Sequence, residues 1–318
     1  MKNKLIALSL LPILVLASGC SNNKKTAPKK YKNEVSYEEF KEQLNALPKF
    51  EELETLDFEA TTNIYLIGRF GLKRENKDLV SETNDVTQES NGKYDVDNDV
   101  ALVDTKATGK ATSVDKRGAE YNIDLAKHIK RQFQKEVINE VEVTARIDAQ
   151  NKVYYNGGAY ESHKPINEVA NYFYSAALPM VSATGEYEYL TPEEKANYKF
   201  FVDKGLFTIE YNHTETEDLK SNETVYATQT TVTKEIAQVQ VDSKDDKITG
   251  AYGYMYAETS ETRTFVLDYS NYLKGDVDET IEKTIIASNI KVKKVELAKI
   301  NLSDYTLYPK DISDDVGF

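Results

Sequence analysis

The 318-residue sequence contains one cysteine, no tryptophan, three histidines and seven prolines. With its single thiol at position 20, the body of the chain cannot form a disulfide, so its stability must come from packing; this excludes a small stapled module. His128, His163 and His213 are widely separated and lack the H-E-x-x-H spacing that places two ligands on one helical face, so a zinc site of that kind is excluded. No G-x-S-x-G elbow, Walker A loop or dinucleotide fingerprint is present. Basic residues are in deficit, 40 Lys and Arg against 53 Asp and Glu, and a formal charge of −13 repels a phosphate backbone. Nucleic acid is therefore not an expected partner. Long apolar runs are also missing: Leu5 to Leu16 is about a dozen residues, short of the roughly 20 that span a bilayer.

That short run has a function of its own. Lys2 and Lys4 precede it and Leu16-Ala17-Ser18-Gly19-Cys20 closes it, which is the layout of a signal peptide. The small residues ahead of Cys20 resemble a bacterial lipobox. The resemblance implies cleavage between Gly19 and Cys20 and a diacylglyceryl group on the Cys20 sulfur; the competing reading is an ordinary secretory signal with an accidental cysteine. Residues 1–19 are thus expected to be a lipoprotein signal. The mature chain is expected to sit on the extracytoplasmic face of the cell membrane. Loss of Lys2 and Lys4 takes its formal charge from −13 to −15.

Residues 20–35 read as a lipidated cysteine followed by a flexible tether. The segment is polar, contains Pro28 and has no apolar periodicity, while Lys24, Lys25, Lys29, Lys30 and Lys32 suit anionic headgroups. Residues 36–310 read as one β-rich domain. Ser36-Tyr37-Glu38-Glu39 is a capping box, with Val35 placed to staple Phe40, and Tyr37, Phe40, Leu44 and Leu47 give one apolar helical face that stops before Pro48. Strands are expected over Thr62–Leu72 and Lys93–Val103, a helix over Asp124–Asn139, and a hairpin from Val141 to Tyr160 about Asp148–Asn151. Pro165 opens a helix with the stripe Ile166, Val169, Phe173 and Ala177, stopped by Pro179. A second capping box at Thr191-Pro192-Glu193-Glu194 starts a helix ending at Gly205. Strands then dominate: Phe207–Tyr211, Val239–Val241 turning at Asp242–Lys247 into Ile248–Tyr256, then Thr264–Tyr269, Thr284–Val292 and Val295–Ile300. The similar hairpins at Ala145–Tyr154 and Val239–Ile248 are compatible with an internal duplication.

Catalytic patterns are fragmentary. Ser113-Val114-Asp115-Lys116 has the S-x-x-K spacing of penicillin-binding enzymes and Tyr269-Ser270-Asn271 resembles their second motif, but the third, K-T-G, is missing. Asp95, Asp97 and Asp99 match the first ligands of an EF-hand loop, which then fails because Val100 stands at the turn glycine and Lys106 at the bidentate glutamate. No enzymatic activity, metal or cofactor is expected. The 22 tyrosines are explained by composition alone, but the placement of three is informative. Tyr252, Tyr254 and Tyr256 share one strand face, and Ala251, Gly253 and Met255 occupy the other. The bulky face offers amphipathic contact area and the bare one admits a helix or a ligand, so these six are the candidate ligand or partner contacts.

The order of lipobox, tether, capped helix, antiparallel meander, helical insert and further meander resembles lipoproteins of the LolA and LppX type. The resemblance implies an α+β fold, a large curved antiparallel sheet left open as a half-barrel, with a few covering helices and a cavity for acyl chains. The expected function is a monomeric, non-catalytic, lipid-anchored carrier of a hydrophobic or lipid-like ligand. The alternative is a cell-surface interaction or adhesion module with a filled core and an exposed aromatic patch.

Overall fold

Alternating β-branched and polar residues carry most of the chain into strands of unusual length. The computed structural model describes residues 27–74, 77–134, 137–142, 154–159, 164–297 and 306–307, so Cys20 and the signal lie outside the described residues. In chain order the elements are β1 (Glu34–Val35), α1 (Tyr37–Asn45), a 3₁₀ turn (Phe50–Thr55), β2 (Phe58–Arg74), β3 (Lys77–Asp95), β4 (Val100–Val114), β5 (Glu120–Gln134), β6 (Val137–Glu142) and β7 (Tyr154–Ala159). There follow α2 (Pro165–Glu186), a 3₁₀ turn (Tyr187–Tyr189), α3 (Pro192–Lys195), β8 (Tyr198–Asp203), β9 (Leu206–Ser221), β10 (Thr224–Lys244), β11 (Lys247–Phe265), β12 (Val277–Val292) and β13 (Thr306–Leu307). The described strands form one sheet in the order β1-β8-β9-β10-β11-β12-β2-β3-β4-β5-β6-β7-β13. Its two ends do not pair, so it is an unclosed, mostly antiparallel sheet with a few helices, as expected. The short β7–β13 contact is parallel.

Tight turns set the register. Lys204-Gly205, Asn222-Glu223 and Asp245-Asp246 each place two successive residues at positive φ between paired strands, the mirror-image turn whose twist matches that of a hairpin. The strands they join are long: the 21 residues of β10 reach about 70 Å at the usual rise.

Several local expectations change. Thr62–Leu72 lies inside β2, but Lys93–Val103 is not one strand: Val96–Asp99 turns the chain between β3 and β4. The helix expected over Asp124–Asn139 is instead β5 and the start of β6. Pairing with β4 on one side and β6 on the other supplies the backbone bonds, and the odd-numbered alternation that buries Ile129 and Phe133 prevails over local helix propensity. The hairpin expected to follow is paired as β6 with β7, while its turn and the first half of the possible duplication lie outside the described residues. α2 does not stop at Pro179 but continues to Glu186, because Met180 one residue later is buried and offsets the missing N–H of a single helical bond. α3 has its capping box, yet ends at Lys195 rather than Gly205, since Tyr198, Phe200 and Val202 alternate and pair with β9. β11 ends at Phe265, and residues 293–297 form no strand. The tether also ends early: from Lys29 the chain is bound to the sheet.

The core lies between the sheet and α2. Ile166, Val169, Ala170 and Phe173 pack with Phe58, Tyr94, Phe133, Ala251 and Ile290; farther along, Ala177 and Met180 join Phe40 of α1 and Phe200, Phe207 and Val239. α2 thus crosses every strand from β10 to β5 in the sheet order, a distance of about 29 Å that its 22 residues match at about 33 Å. Register sets Val241, Ala251, Ile290, Ala60, Gly92 and Val103 in one row beneath it. Gly92 is required there by contact: a Cβ would lie 2.6 Å from Cγ1 of Val169. Beside that row the buried hydroxyls of Thr62 and Ser288 bond to each other at 3.0 Å, and Ser90 and Thr105 do so at 2.9 Å, so the polar row under the helix is satisfied. Gly92→Ala is expected to destabilise the protein by roughly 1–3 kcal/mol in urea unfolding, and Val169→Ala in that background should cost less than it does alone.

Candidate functional site

The two faces of β11 are both used, by different parts of the chain. Ala251 lies in the core under α2, Gly253 is buried one row on, and Met255 is half-buried. The bare face therefore admits a helix, one of the two occupants its shape allowed. Tyr252 and Tyr254 face the opposite way with Leu206 and Ala287, and Tyr256, Tyr31, Ile236 and Ile285 pack around them. Tyr254 is 1% exposed. Burial raises the pKa of all three tyrosines, that of Tyr252 to about 12.

The cover on this second face is the N-terminal strap, residues 29–33, part of the segment expected as tether. Lys29 donates its backbone N–H to Oε1 of Gln238 and accepts from Nε2 of the same side chain, both at 2.9 Å. Its ammonium stands 3.9 Å from the centre of the Tyr252 ring and 2.8 Å from Oε1 of Gln240. Tyr31 donates its hydroxyl to Glu210 and packs edge-on against Phe201 at 4.9 Å. The backbone N–H groups of Lys32 and Asn33 both reach Asp203, after which β1 pairs with β8. Composition hid this segment, because several of its bonds are made by its own backbone groups, to the side chains of Gln238 and Asp203, and leave no mark on its residue pattern. The sequence signal was on the receiving side, where Gln238 and Gln240 interrupt an otherwise apolar strand end.

Among the described residues, α2 covers only part of the length of its sheet face. The α2 packing extends as far as Gln88, which bonds the Tyr172 hydroxyl at 3.1 Å, and Ile209. Beyond that, register aligns Leu66 with Val86 and Gly109, Gly68 with Asn84, Ala111 and Ile123, and Phe70 with Glu82, Ser113 and Tyr121. This makes a strip across β2 to β5 that mixes apolar and small residues with Asn84, Glu82 and Ser113; Val86 and Gly109 in it are buried, and it ends on Ile123, 57% exposed, and Tyr121, 59% exposed. On β9 to β12 the same rows are Thr- and Glu-rich.

Neither a family model nor a curated protein matches this sequence. Among solved structures, the chain is similar to the outer membrane protein OprG from Pseudomonas aeruginosa, 8% identical over 76% of this chain and 97% of that one, with a TM-score of 0.17. It is likewise similar to OccK2 (OpdF) from Pseudomonas aeruginosa, 4% identical over 74% and 98%, with a TM-score of 0.18. Likenesses this slight bear on neither closure of the sheet nor function.

The other flagged residues are dispersed. Ser113 lies on β4 and Lys116 in the following turn, so they do not form the helical S-x-x-K start, and Ser270 sits beyond β11, four strand spacings or about 19 Å across the sheet. Asp95 is engaged by Asn98, Asp97 by Lys294 at 2.8 Å, and Asp99 by the Tyr94 hydroxyl at 3.1 Å, so the three carboxylates do not converge. His128 bonds Asp104 at 2.7 Å and His213 meets Asn197 at 3.3 Å; among the described residues no cluster of three metal-ligating side chains occurs. A surface cleft of about 420 Å³ between α1 and the turn at Tyr187 is lined by Tyr37, Lys41, Asn45, Tyr187, Glu188 and Lys195, with Lys41 paired to Glu188. It is charged rather than apolar.

At the opposite end of the strands, the loop between β11 and β12 is held by aromatic stacks. Tyr226 stacks on Tyr269 at 3.9 Å and Phe265 on Tyr272 at 4.0 Å, while Val266, Tyr269 and Leu273 remain exposed. Under the loop, Asp276 receives Arg74 through two bonds of 2.8 and 2.6 Å, and Arg74 holds its carboxyl below the usual range. Asp278 is 6% exposed and its Oδ1 has no hydrogen-bond partner; burial pushes its carboxyl up against the opposing pull of Tyr272 and Arg263. The two therefore respond to acid in opposite directions. Stability from Asp276 is complete above the unfolded carboxyl value of about 4 and is lost as pH falls through its lower folded value, whereas the cost of Asp278 is relieved as pH falls through its raised one. Asp276→Asn is expected to lower stability at pH 7 by roughly 1–3 kcal/mol. Asp278→Asn is expected to raise it by roughly 1 kcal/mol, a gain that shrinks in thermal melts taken at falling pH.

Proposed function

We propose that the protein is a non-catalytic lipoprotein, anchored on the extracytoplasmic face of a membrane through Cys20, whose unclosed sheet acts as a half-barrel of the LolA type and takes a hydrophobic or lipid-like ligand. The observation that carries this reading is the division of one sheet face. Among the described residues, α2 fills it beneath the rows of Ala251 and Gly253, and past Gln88 the strip leads through half-buried Leu66, Phe70 and Ala111 to exposed Ile123. The ligand therefore lies along the open strip beside α2, in contact with Met255 at the helix edge rather than with Tyr252 or Tyr254. The charge division supports an outward-facing domain, since a lysine-rich segment follows Cys20 and the domain beyond is acidic. A second reading, a surface interaction module, is favoured by one observation: the exposed Val266, Tyr269 and Leu273 on the rigidly stacked loop.

Cys20→Ala should abolish incorporation of labelled fatty acid, which tests the anchor. Native mass spectrometry of the detergent-extracted wild-type chain separates the two readings: it should find reproducible bound lipid, reduced at least tenfold by Tyr121→Lys with Ile123→Glu, both exposed and therefore neutral to folding. A ligand-free species at every preparation would remove carriage and leave the interaction module.

A further inference from the structure

We propose that the β8–β11 face opposite α2 is a recognition groove for an extended peptide carrying a lysine two residues before a tyrosine, occupied in cis by the chain's own Lys29-Lys30-Tyr31. The groove is built, not incidental. Gln238 is 0% exposed, and its amide both accepts from and donates to the same residue of the strap, the pattern by which one strand recognises another. Its Nε2 is fixed by Thr208 Oγ1 at 3.2 Å, itself fully buried, so the amide faces the strap in one orientation. Side-chain selectivity comes from two charged-aromatic contacts: the lysine ammonium over Tyr252 and against Gln240, and the tyrosine hydroxyl on Glu210 with its ring on Phe201. A lysine in this place is partly desolvated, which lowers its pKa, with Asp242 opposing. Lys30 between them makes no such contact, consistent with an extended segment whose alternate residues face the sheet. An emptied groove would leave the Gln238 amide without two of its bonds and the cluster of Tyr252, Tyr254 and Leu206 without Tyr31, so it has affinity for a replacement of the same chemistry.

The test is independent of the lipid anchor and of any ligand on the open strip. In the full chain, amide exchange of residues 29–33 should be slow in the wild type and at least tenfold faster in Lys29→Ala/Tyr31→Ala, whose substitutions leave the α2-facing core untouched. That variant should bind a fluorescein-labelled peptide of the sequence of residues 27–35 saturably. The wild type, with its groove filled in cis, should bind at least tenfold more weakly, and a peptide with alanine at the Lys29 and Tyr31 positions should bind tenfold more weakly than the native one. Added to the double variant, where no Tyr31 hydroxyl reaches it, Glu210→Gln, which keeps an acceptor but removes the charge, should weaken peptide binding without changing the unfolding transition. Unchanged exchange in the double variant, absence of peptide binding to it, or equal binding of the alanine peptide would each overturn the proposal.

Discussion

Close approach of α2 to the sheet is the constraint on which the rest of the structure depends. A helix lying across seven strands can bury its stripe only if the row beneath it is low, and Gly92 against Val169 is where that demand is tightest. The neighbouring row of Thr62, Ser288, Ser90 and Thr105 is polar yet satisfied, because the hydroxyls pair among themselves. Phe173, 0% exposed, shows how completely the contact is made. A helix of 22 residues is spent entirely in crossing the strands, so none of it is available to run along them. The far half of the same face is left to other uses.

The opposite face is governed by the strap. With Lys29 held by Gln238, eight residues, 21–28, separate Cys20 from the first residue bound to the sheet, a span of at most about 28 Å, against about 50 Å for the fifteen residues 21–35 expected as tether. If Cys20 carries a lipid, the strap end of the sheet is kept near the bilayer. The hairpin tips at Asp115–Ala119 and Asn222-Glu223 and the stacked loop after Phe265 then point away from it. Both proposed contact surfaces, the open strip and the loop with Leu273, lie toward that distal end.

Legibility followed burial. Where one face is buried, as in Phe207–Tyr211 or Ile248–Tyr256, alternation is clean and the strands are found by reading. Where strands run past the helix, as over Lys77–Asn84 and His213–Tyr226, both faces are half-buried to exposed, Thr and charged residues replace most of the apolar ones, and the period disappears although the pairing continues. Asp124–Asn139 misleads for a related reason: its residues are good helix formers, and only the neighbouring strands decide otherwise. Among the candidate contacts, the grouping of Tyr252, Tyr254 and Tyr256 against Ala251, Gly253 and Met255 was legible from period alone, because side chains on a strand alternate without regard to context.

By itself, then, the sequence determined the expected address, through the residues ending at Cys20, along with the β-rich class, the capped starts at Ser36 and Thr191, and the two-faced character of β11. These are local properties, fixed by spacings of a few residues. What covers each face, where the tether ends and which apolar side chains stay open were decided only by tertiary structure. The partners involved are separated in sequence by tens to hundreds of residues and are brought together by helix packing for Val169 with Gly92, by a side-chain amide for Lys29 with Gln238, and by strand register for Leu66 with Gly109.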